Sequence, residues 1–206
     1  MWRGYSAPFM AATELSPIGT FIYGALVNPR TNKFNATAWE CGLRLTLEEA
    51  EPVLAKINDC LANKRKQDPR FPAKDTDLNL PIKPGKTKDE SGEYVPDPSS
   101  VVVQFKRNFM VRRKDGTQQQ GQRPQIYDST GANVTDQIQD VGFGTKLRVV
   151  YEPYAYSGGN FGVQLQIKGV QIVEMAERNE SLPPIEGGWV ANTGADDNID
   201  SILSSV

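Results

Sequence analysis

The sequence predicts a mainly β protein: a small barrel of about five strands with one inserted helix and a flexible, acidic C-terminal tail. Three observations predict it. Runs rich in aromatic and β-branched residues alternate apolar and polar positions with a period of two. A single capped, apolar-striped segment follows the second run. The last run changes phase at a glycine, as a strand coiled into a small barrel requires.

The first two runs, residues 20–27 and 34–45, are separated by the breaker Asn28-Pro29-Arg30. In the second, Trp39, Cys41, Leu43 and Leu45 alternate with Ala38, Glu40, Gly42 and Arg44. One face is buried, which makes Trp39 a core residue rather than a stacking platform. Thr46-Leu47-Glu48-Glu49 then has the form of a capping box, with the Thr46 hydroxyl and Glu49 carboxylate each satisfying a backbone N–H. Val53, Leu54, Ile57 and Leu61 form one apolar stripe, and Pro52 is placed in or near the first turn, where a missing N–H costs least. Lys64-Arg65-Lys66 ends the helix, matching the negative end of its dipole.

Residues 68–98 contain six prolines and little apolar pattern, and read as a long Pro- and Lys-rich loop. Residues 101–112 resume as a strand, with Val101, Val103, Phe105, Phe109 and Val111 on one face. Asp115-Gly116 signals a hairpin, residues 122–127 return, and 128–133 turn. A second hairpin joins 145–154 to 161–173 around Ser157-Gly158-Gly159-Asn160. In its last strand Phe161, Val163, Leu165 and Ile167 are apolar at odd positions, Val170 and Ile172 at even ones. The flip falls at Gly169, the residue a bulge favours. These elements describe a five-stranded Greek-key barrel of the OB type, with a β-sandwich as the alternative. Residues 1–17 read as an N-terminal arm, 18–176 as the barrel domain and 177–206 as the tail.

Composition narrows the chemistry. Histidine is absent and there are two cysteines, Cys41 and Cys60, without paired spacing. The commonest general base and the usual zinc ligands are thereby missing, so neither a metal nor a cofactor is expected, and the cysteines read as free thiols of a reducing, cytoplasmic setting. No stretch of 18 apolar residues suggests a membrane span. Gly85-Lys86-Thr87 resembles the end of a phosphate loop, but Leu80 stands where the leading glycine belongs. Asp75/Asp77 and Asp196/Asp197 read as solvated surface, so the chain is not expected to be an enzyme.

Charge is divided along the chain. Residues 1–173 carry 22 Lys/Arg against 18 Asp/Glu, whereas 174–206 carry seven acids and only Arg178. Cations and rings interleave on the β-rich stretch: Lys106, Arg112, Arg113 and Lys114 on or beyond one strand, Arg123 on its expected partner, and Lys146 and Arg148 on the next. Phe105, Phe109, Tyr151 and Phe161 run in phase with aliphatics and belong to the core. Tyr127, Tyr154 and Tyr156 are the stacking candidates. Lys/Arg neutralise a phosphate backbone and rings stack on exposed bases, so the pattern points to single-stranded nucleic acid. In the tail, Asp196, Asp197 and Asp200 can compete with nucleic acid for the basic body, while Ile199, Ile202 and Leu203 offer a docking strip. The alternative is a β-barrel protein-interaction module that binds no nucleic acid.

Over residues 15–175 the chain resembles the bacteriophage replicative single-stranded DNA-binding proteins. The likeness rests on Tyr154-Ala155-Tyr156-Ser157 running on to Gly162-Val163-Gln164-Leu165-Gln166-Ile167, on Gly19-Thr20-Phe21-Ile22-Tyr23-Gly24, and on the strand-then-helix run 34–62. The resemblance implies an OB fold and coating of single-stranded DNA with little sequence preference; whether duplex DNA or RNA is also bound, more weakly, is left open by the residues. It implies a role in phage replication and recombination inside the bacterial host, and recruitment of polymerase, helicase or primase through the tail. Whether the chain forms a homodimer stays open. The tail ends Ile202-Leu203-Ser204-Ser205-Val206, where the family's best-known members have more acids and a terminal aromatic.

Overall fold

The computed structural model describes residues 13–33, 35–112, 115–158 and 160–176. Five long strands carry the architecture: β2 (Gly19–Thr31), β3 (Thr37–Thr46), β5 (Tyr94–Asn108), β9 (Lys146–Gly158) and β10 (Asn160–Glu174). Pairing runs β9–β2–β3–β5–β10, and β10 pairs back onto β9 from the hairpin turn to Lys146. Every contact in the circuit is antiparallel except β5 with β10, which is parallel. Short strands are appended to it. β1 (Glu14–Leu15) lies along β9, β4 (Ile82–Lys88) along β5, and β8 (Gln125–Tyr127) along β10. β6 (Met110–Arg112) and β7 (Gln118–Gln120) form a separate ribbon, giving ten strands among the described residues rather than five.

Alternation places the core inside the circuit. Cys41, Leu43 and Leu45 face Val103 and Phe105, Leu147, Val149 and Tyr151, and Val163, Leu165 and Ile167, all essentially inaccessible to water. The ladder shifts register between Ile167 and Gly169, so Val170 and Ile172 also point inward, as the phase flip predicts. Helix α1 (Leu47–Gln67) buries Ala50, Val53, Ile57 and Leu61 in the same core. Each of its larger apolar side chains contributes about 1.5–3 kcal/mol. The capping box is present: Thr46 Oγ1 accepts from the Glu49 amide at 3.2 Å, and Glu49 Oε2 accepts from the Thr46 amide at 2.8 Å. Trp39 is buried, its Nε1 donating to the Val27 carbonyl at 3.4 Å and its ring 5.4 Å from Phe109.

Several sequence expectations need correction, among them the breaker at Asn28-Pro29-Arg30, through which β2 continues to Thr31. Pro52 is the sixth residue of α1, past the first turn, where it forfeits the helical bond to the Glu48 carbonyl. Residues 14–17 belong to the barrel, because Glu14 and Leu15 pair with β9 and the Val149 amide donates to the Ser16 hydroxyl at 2.8 Å. The inward face expected over 101–112 fails beyond Phe109, since the chain bends there and Val111 stands exposed on the ribbon. Residues 125–127 pair with β10 instead of returning along 101–112.

The largest correction concerns 68–98. Its second half is a β-arm in which β4 pairs with the first half of β5, from Lys88 opposite Tyr94 to Ile82 opposite Val103. Prolines hid it, yet Pro84 lies on an edge strand, where a missing N–H interrupts no ladder on the free side. Asp89 builds the tip by accepting from the amides of Ser91 and Glu93, each at 2.9 Å, with Gly92 at φ +85°. At the base the ladder jumps: Pro84 faces Val101, but Gly85 faces Asp97, leaving 98–100 bulged. A Cβ on Gly85 would overlap the Ser100 hydroxyl, so the close crossing requires glycine. Asp97 ties the bulge, accepting from the Ser100 and Ser99 hydroxyls at 2.5 and 2.6 Å.

Candidate nucleic-acid interface

Directly paired residues share one face of a sheet. Lys146 pairs with Thr20, Thr20 with Arg44, Arg44 with Val102, and Val102 with Lys83. Their neighbours Leu147, Phe21, Leu43 and Val103 are buried, so this row lies on the outside and carries three cations across five strands. The next row on that face is Tyr23, Gly42 and Gln104. A Cβ on Gly42 would overlap the Tyr23 ring, so the glycine lets the ring lie flat on β3.

Between this face and the β-arm runs an open groove of about 1020 Å³. Arg44, Lys83, Lys86 and Lys88 line it together with Tyr23 and Tyr94, and no lining residue is acidic. Among the described residues, Lys83, Lys86 and Lys88 form no ion pair, so their charge is available to a ligand. Arg44 donates to the main-chain carbonyl of Lys86, holding the arm against the barrel. Lys88 Nζ stands 5.4 Å from the centre of the Tyr94 ring, which is 68% exposed. Burial, with Glu40 and Cys41 nearby, pushes the Tyr23 phenol up, keeping it neutral at ordinary pH. Cations spaced along a trench with rings between them can neutralise phosphates and stack on bases.

The structure distributes the sequence-predicted residues differently. Lys146 joins the cation row, its Nζ donating to Thr20 Oγ1 at 2.7 Å. Tyr154 faces outward, 59% exposed, opposite Gln164. Lys106 lies on the same outer surface, but Glu40 holds its ammonium at 3.2 Å. Its neighbours Glu152 and Lys168 are likewise paired, at 2.5 Å. Arg123 is not on the hairpin partner of 101–112; it precedes β8 and donates to the Thr135 carbonyl at 2.9 Å, pinning a loop. Arg148 donates to Gln171 at 2.9 Å. Tyr127 donates to Gln125, and its ring lies against Gly169. Tyr156 accepts from Asn79 Nδ2 at 3.1 Å and packs over Gly162. Arg112 is on β6, but its side chain, Arg113, Lys114 and all tail residues from Asp196 to Leu203 lie outside the described residues.

Sequence reasoning missed Tyr23, Arg44, Lys83, Lys86, Lys88 and Tyr94 as site residues. A signal was present: Lys86-Thr87-Lys88 and Glu93-Tyr94-Val95 alternate on either side of Asp89-Glu90-Ser91-Gly92, which is a turn sequence.

The strand circuit, and a groove over its β3–β5 face, define an OB-type barrel. Solved structures share this fold. Gp2.5, a single-stranded DNA-binding protein encoded by bacteriophage T7, superposes with a TM-score of 0.60 at 18% identity, covering 88% of this chain and 99% of its own. The single-stranded DNA-binding protein from bacteriophage Enc34 gives 0.54 at 13% identity over 88% of each chain. In complex with single-stranded DNA it gives 0.57 at 12% identity, over 79% of this chain and 86% of that one. No protein-family model and no curated protein sequence matches the chain.

Proposed function

We propose that this chain binds single-stranded DNA with little sequence preference and coats it during phage replication and recombination. The observation that carries the reading is the acid-free groove on the β3–β5 face, with four cations and two tyrosines. That face is where OB folds take up oligonucleotides. The shared fold supports it, since the phage proteins named above bind single-stranded DNA and one was solved with it bound. Arg44, Lys83, Lys86, Lys88 and Lys146 neutralise phosphates in this reading, while Tyr23, Tyr94 and Tyr154 stack. The acidic segment 177–206 competes for the same cations and, once displaced, recruits replication proteins through Ile199, Ile202 and Leu203.

Fluorescence anisotropy with labelled single-stranded DNA, duplex DNA and RNA tests this. Five phosphate-neutralising cations predict a log–log salt slope of about −3.5 for single strands. A chain ending at Gly194 is expected to bind more tightly than the full chain. Absence of binding by both at low salt would overturn the reading.

A further inference from the structure

The β-arm gives the groove a second wall. It leaves the barrel at Ile82 and Val101, bends at the Gly85–Asp97 register jump, and is held over the outer face by the bond from Arg44 to the Lys86 carbonyl. Lys86, Lys88 and Tyr94 therefore look across a trench at Tyr23 and Arg44, instead of lying on an open surface. A strand running in that trench has contacts on two sides. Rings on its walls can stack only on bases whose faces are free, which a duplex does not offer.

Resting on the single-strand reading above, we propose that the arm is the element that restricts this groove to single strands. The barrel face beneath it, with Lys146, Arg44 and Lys83 in one row, is a plain basic surface that discriminates weakly between single and double strands. Selectivity comes from the overhanging ribbon and its exposed Tyr94.

Thr87 and Val95 are direct cross-strand partners, so residues 88–94 can be replaced by Asn-Gly without disturbing the remaining pairs. The exchange removes Lys88 but also Asp89, Glu90 and Glu93, raising the net charge by two. Glu90→Gln with Glu93→Gln in the full-length arm matches that charge and serves as the control. The shortened chain is expected to lose at least ten-fold in its preference for single-stranded over duplex DNA, while the control keeps its preference. An unchanged preference in the shortened chain, or an equal loss in the control, would overturn the proposal. Failure of the unaltered chain to bind single strands would instead remove the reading on which it rests.

Lysine modification of the unaltered chain, read by mass spectrometry, gives an answer that does not depend on the shortened chain folding. Single-stranded DNA is expected to protect Lys86 and Lys88. Duplex DNA, at low salt and concentrations that give equal occupancy, is expected to leave both reactive. Equal protection by the two would contradict the arm's role.

Discussion

The guanidinium of Arg44 on β3 donates a hydrogen bond to the main-chain carbonyl of Lys86 on β4, although the two residues are 42 apart in sequence. One side chain thus contributes a charge to the groove and anchors the arm that walls it. Arg44→Gln is expected to weaken single-stranded DNA binding and to make the salt slope shallower by about 0.7. Lys106→Ala, whose charge Glu40 already engages, is expected to leave both nearly unchanged. Anisotropy titrations over a salt series distinguish the two variants.

Tyr94 is exposed and its ring makes no core contact, so Tyr94→Ala is expected to cost about 1–3 kcal/mol in binding with no change in Tm. Tyr156→Ala predicts the opposite pattern. It removes the bond to Asn79 and the packing over Gly162, so Tm falls while affinity changes little. Thermal melts and binding isotherms on the same preparations separate stacking from packing.

A methyl group added at Gly42 would overlap the Tyr23 ring. Gly42→Ala is expected to push the ring off β3, costing about 1–3 kcal/mol of stability by overpacking and weakening DNA binding as the groove floor deforms. Denaturant unfolding gives the first quantity. Gly92→Ser at the arm tip, with open space around its Cα but φ +85°, is expected to act through backbone strain alone and to spare binding.

Hydrogen bonds from the Ser100 and Ser99 hydroxyls and the Ser99 amide hold the Asp97 carboxyl down at about 2, against an ordinary value of 3.8. A depressed pKa contributes stability that is complete above the unfolded value and is lost as pH falls through the folded one. The arm base is therefore expected to loosen between about pH 4 and pH 2, seen as movement of the Ser99 and Ser100 amide resonances. Asp97→Asn is expected to abolish that titration.

Period-two alternation was enough to read β3, β9 and β10, because burial acts on every second side chain of each. The bulge at Gly169 and the cap at Thr46 were equally legible, since each depends on residues adjacent in sequence. The groove was not. Its cations come from β3 and from an arm whose prolines disguise it as loop, and only register brings Arg44, Lys83 and Lys146 into one row. Conversely, Lys106 and Arg123 look free in the sequence because Glu40 and the Thr135 carbonyl, which hold them, are distant along the chain.

Photocrosslinking maps the path of the strand most directly. Single-stranded DNA carrying 5-bromodeoxyuridine would be irradiated with the full chain and the adducts located by mass spectrometry. Adducts on Tyr23 and Tyr94 are the predicted result. Adducts confined to Tyr127, Tyr156 or the β6–β7 ribbon, with none on the groove, would contradict the assignment of the groove as the DNA site.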